Sequence, residues 1–295
     1  MKRLSFYLLI ILSFFGSGSA GAKVRVVTTL ADLADFTRQI GGERVQVDFI
    51  VRGDQNPHFV EVKPSYMLKL KSADVFFMIG MDLEMWAPQI IDGSRNSKLL
   101  IVDLSKNIRK LEVPGRVDAS AGDVHRFGNP HYWLDPHNVR PILEEMIAAL
   151  SKVSPADEAV FRSNAEAYLK KLDEKIIEWE KQMQPFAGGR IITFHKSWPY
   201  FANWLRLVVA DHVEPKPGIP PSPSHSAELI SLVRNSGIKA IVVEPFYDAS
   251  AAEQIARAAN AKVIRLATSI GGVTAAKDYI TLMDYNIATL AATLK

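Results

Sequence analysis

The chain of 295 residues contains no cysteine. That absence excludes disulfides, thiolate metal ligands, a nucleophilic thiol and attachment through a lipidated N-terminal cysteine. Any cation this protein holds must be held by nitrogen and oxygen. A strong excess of one charge is also missing. Without Lys2 and Arg3, 33 basic residues face 32 acidic ones, so nothing points to nucleic acid or an anionic membrane. Beyond residue 15 no apolar run approaches the ~20 residues that cross a bilayer. His-Glu-x-x-His, His-x-His-x-Asp-His and Gly-x-Ser-x-Gly are absent as well, which removes the familiar signatures of zinc and serine hydrolases.

What is present begins with a leader. Lys2 and Arg3 precede an apolar run over residues 4–15, and Gly16-Ser17-Gly18-Ser19-Ala20-Gly21-Ala22 supplies small residues before Lys23. The pattern predicts a secretory signal over residues 1–22 and a soluble periplasmic protein after its removal. Hydrophobic residues make up 48% and charged residues 23%, the balance of an ordered globular chain.

From Val24 onward, strand and helix signals alternate. Residues 24–29, 45–51, 74–80 and 98–102 read as strands, with helices expected over 31–40, after Pro64 and over 81–91. Residues 109–130 carry little periodicity and read as a surface excursion. The clearest helix is predicted over 155–183. Phe161, Ala165, Tyr168, Leu172, Ile176, Trp179 and Met183 recur at steps of four and three, and Ser154 is placed to cap it ahead of Pro155. The second half repeats the pattern, with strands over 190–194, 238–243 and 262–266. Helices are expected over 198–207, 227–235, 250–259 and 275–294, and five prolines stiffen residues 214–223. The predicted fold is α/β: two lobes, each with a mainly parallel sheet flanked by helices, joined by one long helix. The expected divisions are a lobe over 23–150, a linking helix over 151–185 and a lobe over 186–295.

Ligands of open α/β sheets bind beyond the carboxyl ends of strands, and four polar groups follow strands here. His58 lies in the loop after residues 45–51, next to Pro57. His131 sits in Asn129-Pro130-His131-Tyr132-Trp133-Leu134-Asp135-Pro136, where flanking prolines restrict the backbone. His195 directly follows residues 190–194, and Glu244 directly follows 238–243. Three imidazoles and a carboxylate would form a closed tetrahedral shell suited to zinc. Asp135 could orient His131 or cap nearby backbone N–H groups. His137 is expected to cap a helix, and His125, His212 and His225 to be exposed or structural. Trp133, Trp198 and Trp204 are expected in the core or the cleft walls.

Asn56-Pro57-His58, His131-x-Trp133-x-Asp135-Pro136 and Phe194-His195 resemble the histidine motifs of the substrate-binding proteins of zinc and manganese ABC transporters. The resemblance extends over the mature chain, including the long helix. It implies non-enzymatic capture of a divalent metal between the lobes and delivery by a monomer to a membrane permease. Donor type sets the expected metal: three imidazoles favour Zn2+, and Mn2+ or Fe2+ would compete if Glu244 and a second carboxylate both bound. The chain departs from the family pattern in two places. Many relatives carry an aspartate ligand where this chain reads Ala267-Thr268-Ser269-Ile270. Threonine is a poor ligand for a divalent cation, so the fourth position falls to Glu244, with Asp248 or water as alternatives. Some zinc-binding relatives also carry a long histidine-rich loop, whereas the excursion here holds only His125. A secreted zinc hydrolase, or a protein with a merely structural metal, are the competing readings.

Overall fold

The computed structural model describes residues 22–115, 125–216 and 218–295. The expected leader lies outside the described residues except for Ala22, as do residues 116–124 of the excursion.

Among the described residues, eight strands form two four-stranded sheets. The first is built from β1 (Val24–Leu30), β2 (Val45–Val51), β3 (Val75–Met78) and β4 (Leu100–Asp103), in the order β2-β1-β3-β4. The second uses β5 (Arg190–Thr193), β6 (Val208–His212), β7 (Ala240–Val243) and β8 (Lys262–Arg265), in the order β6-β5-β7-β8, with the short helix α6 (Pro199–Trp204) between β5 and β6. Every pairing is parallel, which requires a crossover between paired strands. Helices α1 (Ala31–Gly41), α2 (Pro64–Lys71) and α3 (Ala87–Ser94) make the crossovers in the first lobe. Strands covered on both faces must be apolar throughout, and β7 (Ala-Ile-Val-Val) is buried at all of its positions. Both sheets reverse their winding beside their first strand. The crevices at these reversals, between β1 and β3 and between β5 and β7, are where such sheets place polar chemistry.

After α4 (Val139–Val153), helix α5 (Glu158–Met183) links the lobes. Its 26 residues span roughly 39 Å at ~1.5 Å per residue. All seven apolar positions of the predicted stripe are buried. The helix packs against α1, α4 and the terminal helix α9 (Tyr279–Leu294), and Trp179 Nε1 donates to Asp284 Oδ1 at 2.8 Å. One apolar core therefore runs from the first sheet through α5 and α9 onto one face of the second. Alternation along the strands assigns the faces: Ile191, Ala240 and Val242 join that shared core. Ile192, Ile241 and Val243 face the other way, into a second core beneath α7 (Pro223–Ser236) and α8 (Ser250–Ala259).

Local expectations failed in three places. Strand β6 was not anticipated. It pairs along one side only, its register slips between Ile191 and Ile192 of β5, and it ends on Asp211-His212, so it lacks an apolar signature. The helix expected over 81–91 begins at Ala87, because Met81 and Asp82 take positive φ (52° and 63°) in a turn. Ser154 makes no capping bond to the backbone. Its hydroxyl donates to Asp157 Oδ2 at 2.7 Å, and a 3-10 turn over Pro155–Asp157 precedes the helix.

The lobes are stitched by buried polar contacts. Asp32, in the first turn of α1, accepts from the Ser269 hydroxyl and from Ile270 N–H. Trp133 Nε1 donates to Thr268 O at 2.8 Å, and the Tyr279 hydroxyl donates to Trp133 O at 2.6 Å. Gly53 approaches so closely that a β-carbon would overlap Ile270 O and Gly272 N. Only glycine leaves room for this backbone crossing.

Burial pushes the Asp32 carboxyl up to about 7, against hydrogen bonds from Ser269 and Ile270 that favour its charged form. An acid raised in the folded state contributes stability that is present in acid and lost as pH rises through its folded value. Asp32→Asn cannot ionise. It should flatten the decline in unfolding free energy between about pH 4 and pH 7, a difference on the order of a few kcal/mol. Urea titrations across that range would read it, with a remaining slope from Glu84, which is likewise raised to about 7 by burial. A variant with the wild-type slope would show that Asp32 is already ionised in acid.

Candidate metal centre

The two loop histidines are mounted by the same device. In Asn56-Pro57-His58, Asn56 Oδ1 accepts from His58 N–H at 3.0 Å. In Asn129-Pro130-His131, Asn129 Oδ1 accepts from His131 N–H at the same distance. An asparagine that bonds backbone two residues on closes a tight turn, and the proline between them fixes its own φ. Asn129 does more. Its Oδ1 also accepts from His131 Nδ1 at 3.0 Å, and its Nδ2 donates across the cleft to Lys196 O at 2.7 Å. A carbonyl oxygen only accepts, so His131 carries its proton on Nδ1 and turns the Nε2 lone pair into the cleft.

His195 arrives from the other lobe, two residues beyond the end of β5. Its Nδ1 lies 2.9 Å from Glu214 Oε2, which follows β6, the strand paired with β5. The carboxylate fixes the same tautomer at His195 as Asn129 fixes at His131. A histidine that binds a metal commonly gives its other N–H to such an acceptor.

His58, His131 and His195 are all buried, and each offers a ring nitrogen within 4.8 Å of the other two. His58 Nε2 and His131 Nε2 are 3.2 Å apart. Two imidazole nitrogens bound ~2.05 Å from one tetrahedral zinc stand roughly 3.3 Å apart, so these two already hold the spacing of a shared cation. Burial, followed by the neighbouring His58, His195 and His125, holds the His131 pKa well below 6.5. It is neutral at neutral pH, the form that binds metal.

The fourth predicted residue stands apart. Glu244 directly follows β7 and is fully buried beside the β5–β7 crevice. Its Oε1 accepts from Trp198 Nε1 at 3.0 Å. Burial raises its pKa to about 6, with nearby His195 the largest opposing influence. Among the described residues, only the three histidines share the 4.8 Å spacing, so the carboxylate lies outside their common reach. Thr268 is buried and offers its carbonyl to Trp133 rather than a ligand to the cleft. Asp248 is exposed and occupied by Ser250 N–H and hydroxyl.

Asp135 takes the capping role, accepting from His137 N–H at 3.0 Å and His137 Nδ1 at 2.9 Å. His212 and His225 are structural: Thr193 Oγ1 and His212 Nδ1 lie 2.7 Å apart, and His225 Nε2 donates to His212 O at 2.9 Å. Trp133, Trp198 and Trp204 are all buried in the core, with the Trp133 ring centroid 5.4 Å from that of His131. His125 is half-buried, with its ring centroid 5.0 Å from that of His58. Sequence reasoning also missed Glu214, Asn56 and Asn129. The repeated Asn-Pro-His could have flagged the two asparagines, whereas nothing local marks Glu214 as the partner of His195.

Fold and cluster define a class: two-lobed, helix-linked α/β proteins that bring three buried imidazoles together between the lobes. The chain belongs to the family described as zinc-uptake complex component A, periplasmic, whose sequence profile matches residues 26–293. It is 27% identical to the zinc-binding protein AdcA of Streptococcus pyogenes over 93% of this chain and 56% of that one. It therefore spans a little over half the length of that relative. It is 25% identical to the manganese-binding lipoprotein MntA of Halalkalibacterium halodurans, over 95% of this chain and 91% of the relative. A crystal structure of ZnuA superposes with a TM-score of 0.81 at 23% identity, covering 92% of this chain and all of that one. A manganese-bound periplasmic metal-binding protein from Candidatus Liberibacter asiaticus gives 0.78 at 21% identity, again over 92% of this chain. These two likenesses establish the fold.

The hydrogen bonds require the Nδ1–H tautomer at both His131 and His195. Long-range 1H–15N correlation spectra of the metal-free protein should show it for both rings. Glu214→Ala should convert His195 alone to a mixture of tautomers. An unchanged His195 signal would mean that Glu214 does not set it.

Proposed function

We propose that this protein captures one divalent transition-metal cation, Zn2+ in preference to Mn2+, between its lobes and delivers it to the membrane permease of an ABC transporter. His58, His131 and His195 are the ligands in this reading. The observation that carries it is the three buried ring nitrogens within 4.8 Å of one another, with two already at 3.2 Å. Imidazole-rich shells suit zinc, whereas manganese prefers carboxylate and water. Glu244 is the anion of the site. From beside His195 it offsets part of the cation's charge, and direct ligation would require it to swing away from Trp198.

The protein binds and releases its metal as cargo, without catalysis. It works as a monomer in the periplasm, reached through the signal peptide read at residues 1–22. The composition fits that location, since the chain can spend its life in an oxidising compartment with no thiol to protect. Among the described residues no helix is long and apolar enough to cross a membrane. Both lobes contribute ligands, so the cation cross-links them, and release needs only a small separation of the cleft loops.

Elemental analysis of protein stripped of metal and reloaded from a zinc and manganese mixture should find one zinc per chain. His195→Ala should weaken zinc by more than about 100-fold, beyond the 10–100-fold typical of losing a hydrogen-bond partner of a ligand. Retention of manganese over zinc, or an unchanged His195→Ala affinity, would overturn this reading. Protons compete for the ligands, and His131 titrates well below 6.5, so its protonation should weaken zinc only in clearly acid solution, well below pH 6.5.

A further inference from the structure

Zinc in a closed site takes four ligands, and the reading above, on which this inference rests, supplies three imidazoles. We propose that His125 is the fourth ligand, completing an all-nitrogen shell from the more exposed side of the cleft. Its ring centroid lies 5.0 Å from that of His58, nearer than those of His131 and His195, which each lie 5.2 Å away. Its nitrogens stand outside the spacing shared by the other three. Ligation therefore requires a turn of the ring, which a half-buried side chain makes by a rotamer change without repacking a core.

The segment that carries His125 is mounted on the first lobe. The next residue, Arg126, grips Asp82 with two parallel bonds of 2.9 and 3.2 Å, the geometry of the strongest guanidinium–carboxylate pairs. That pairing holds the Asp82 carboxyl below its usual range. Gly128, at φ 108°, turns the chain so that its N–H donates to His125 O at 3.3 Å. Phe127 lies under both Arg126 and Lys110, at 5.3 and 5.6 Å. The ring is thus delivered beside His58, tilted 35° to it, by an anchored turn.

Other groups of this chain are committed elsewhere. Glu244 accepts from Trp198, Glu214 from His195, and Asp248 from Ser250. Thr268 brings a neutral hydroxyl. A fourth nitrogen would bias the site further toward zinc, because manganese favours oxygen donors. His125 is therefore a specificity-determining residue as well as a ligand.

The test uses the full chain, stripped of metal, with Zn2+, Mn2+ and the optical probe Co2+. His125→Ala and His125→Gln should both still bind one cation per chain. Each should lose at least about tenfold in zinc affinity and much of the preference for zinc over manganese, with a changed visible Co2+ spectrum. Arg126→Ala, which leaves the imidazole but releases its mount, should move the same quantities part of the way. His131→Ala should abolish tight binding. Unchanged affinity and an unchanged Co2+ spectrum in both His125 variants, with binding abolished in His131→Ala, would overturn the role of His125 and leave the three-imidazole site standing. Unchanged binding in His131→Ala would overturn both.

Discussion

Three imidazoles pressed together in a buried seam can serve one site only if their ring nitrogens are directed. Protonating His131 would place a positive charge in a buried site beside His58 and His195, and burial keeps that ring neutral at neutral pH. Acceptors behind two of the rings give that direction: the Asn129 amide behind His131 and the Glu214 carboxylate behind His195. Each acceptor lies at the end of a different structural element, so the tautomers at the cleft depend on β5, β6 and the Asn-Pro-His loops being in register. The sheets serve the imidazoles in this sense.

The two lobes share a strand order but use it differently. In the first sheet the crevice between β1 and β3 is closed by Glu84. Its carboxylate accepts from the Thr29 hydroxyl and from the backbone N–H groups of Ile79 and Gly80. The clustered histidines of that lobe, His58 and His131, come instead from the loops beyond β2 and β4. In the second sheet the equivalent crevice stays functional, with His195 beyond one strand and Glu244 beyond the other. A fully buried acid holding loop backbone in one lobe, and an acid beside an imidazole in the other, show one topology put to structural and chemical use.

Features with a period or a position were legible in the sequence. The α5 stripe held at every residue because a 3.6-residue repeat is a local property. His58, His131 and His195 were found because each follows a strand or sits between constraining residues. What was not legible depends on pairing. His195 and Glu214 are 19 residues apart, and they meet only because β6 lies alongside β5, a strand whose mixed composition hid it. Glu244 was placed beside the site by the same logic that found His195. The sequence could not show that Trp198 would hold its carboxylate out of common reach. The position of His125 beside His58 was not legible either, because the turn that carries it is tied by the pairing of Arg126 with Asp82, 44 residues away.

The Asn-Pro-His mounts have a consequence for the lifetime of the protein. Asparagine ages chiefly when the backbone nitrogen of the following residue attacks its side chain, forming a succinimide that opens to aspartate or isoaspartate. Proline has no N–H and cannot make that attack. Asn56 and Asn129 are each followed by proline, so both are chemically durable. At Asn129 the protection is pointed, because Nδ2 donates to Lys196 O across the cleft. An aspartate there would set a carboxylate against a carbonyl. A protein without cysteine is spared oxidative damage at sulfhydryls, and these two prolines spare it the corresponding hydrolytic damage where its cleft could least tolerate a new charge.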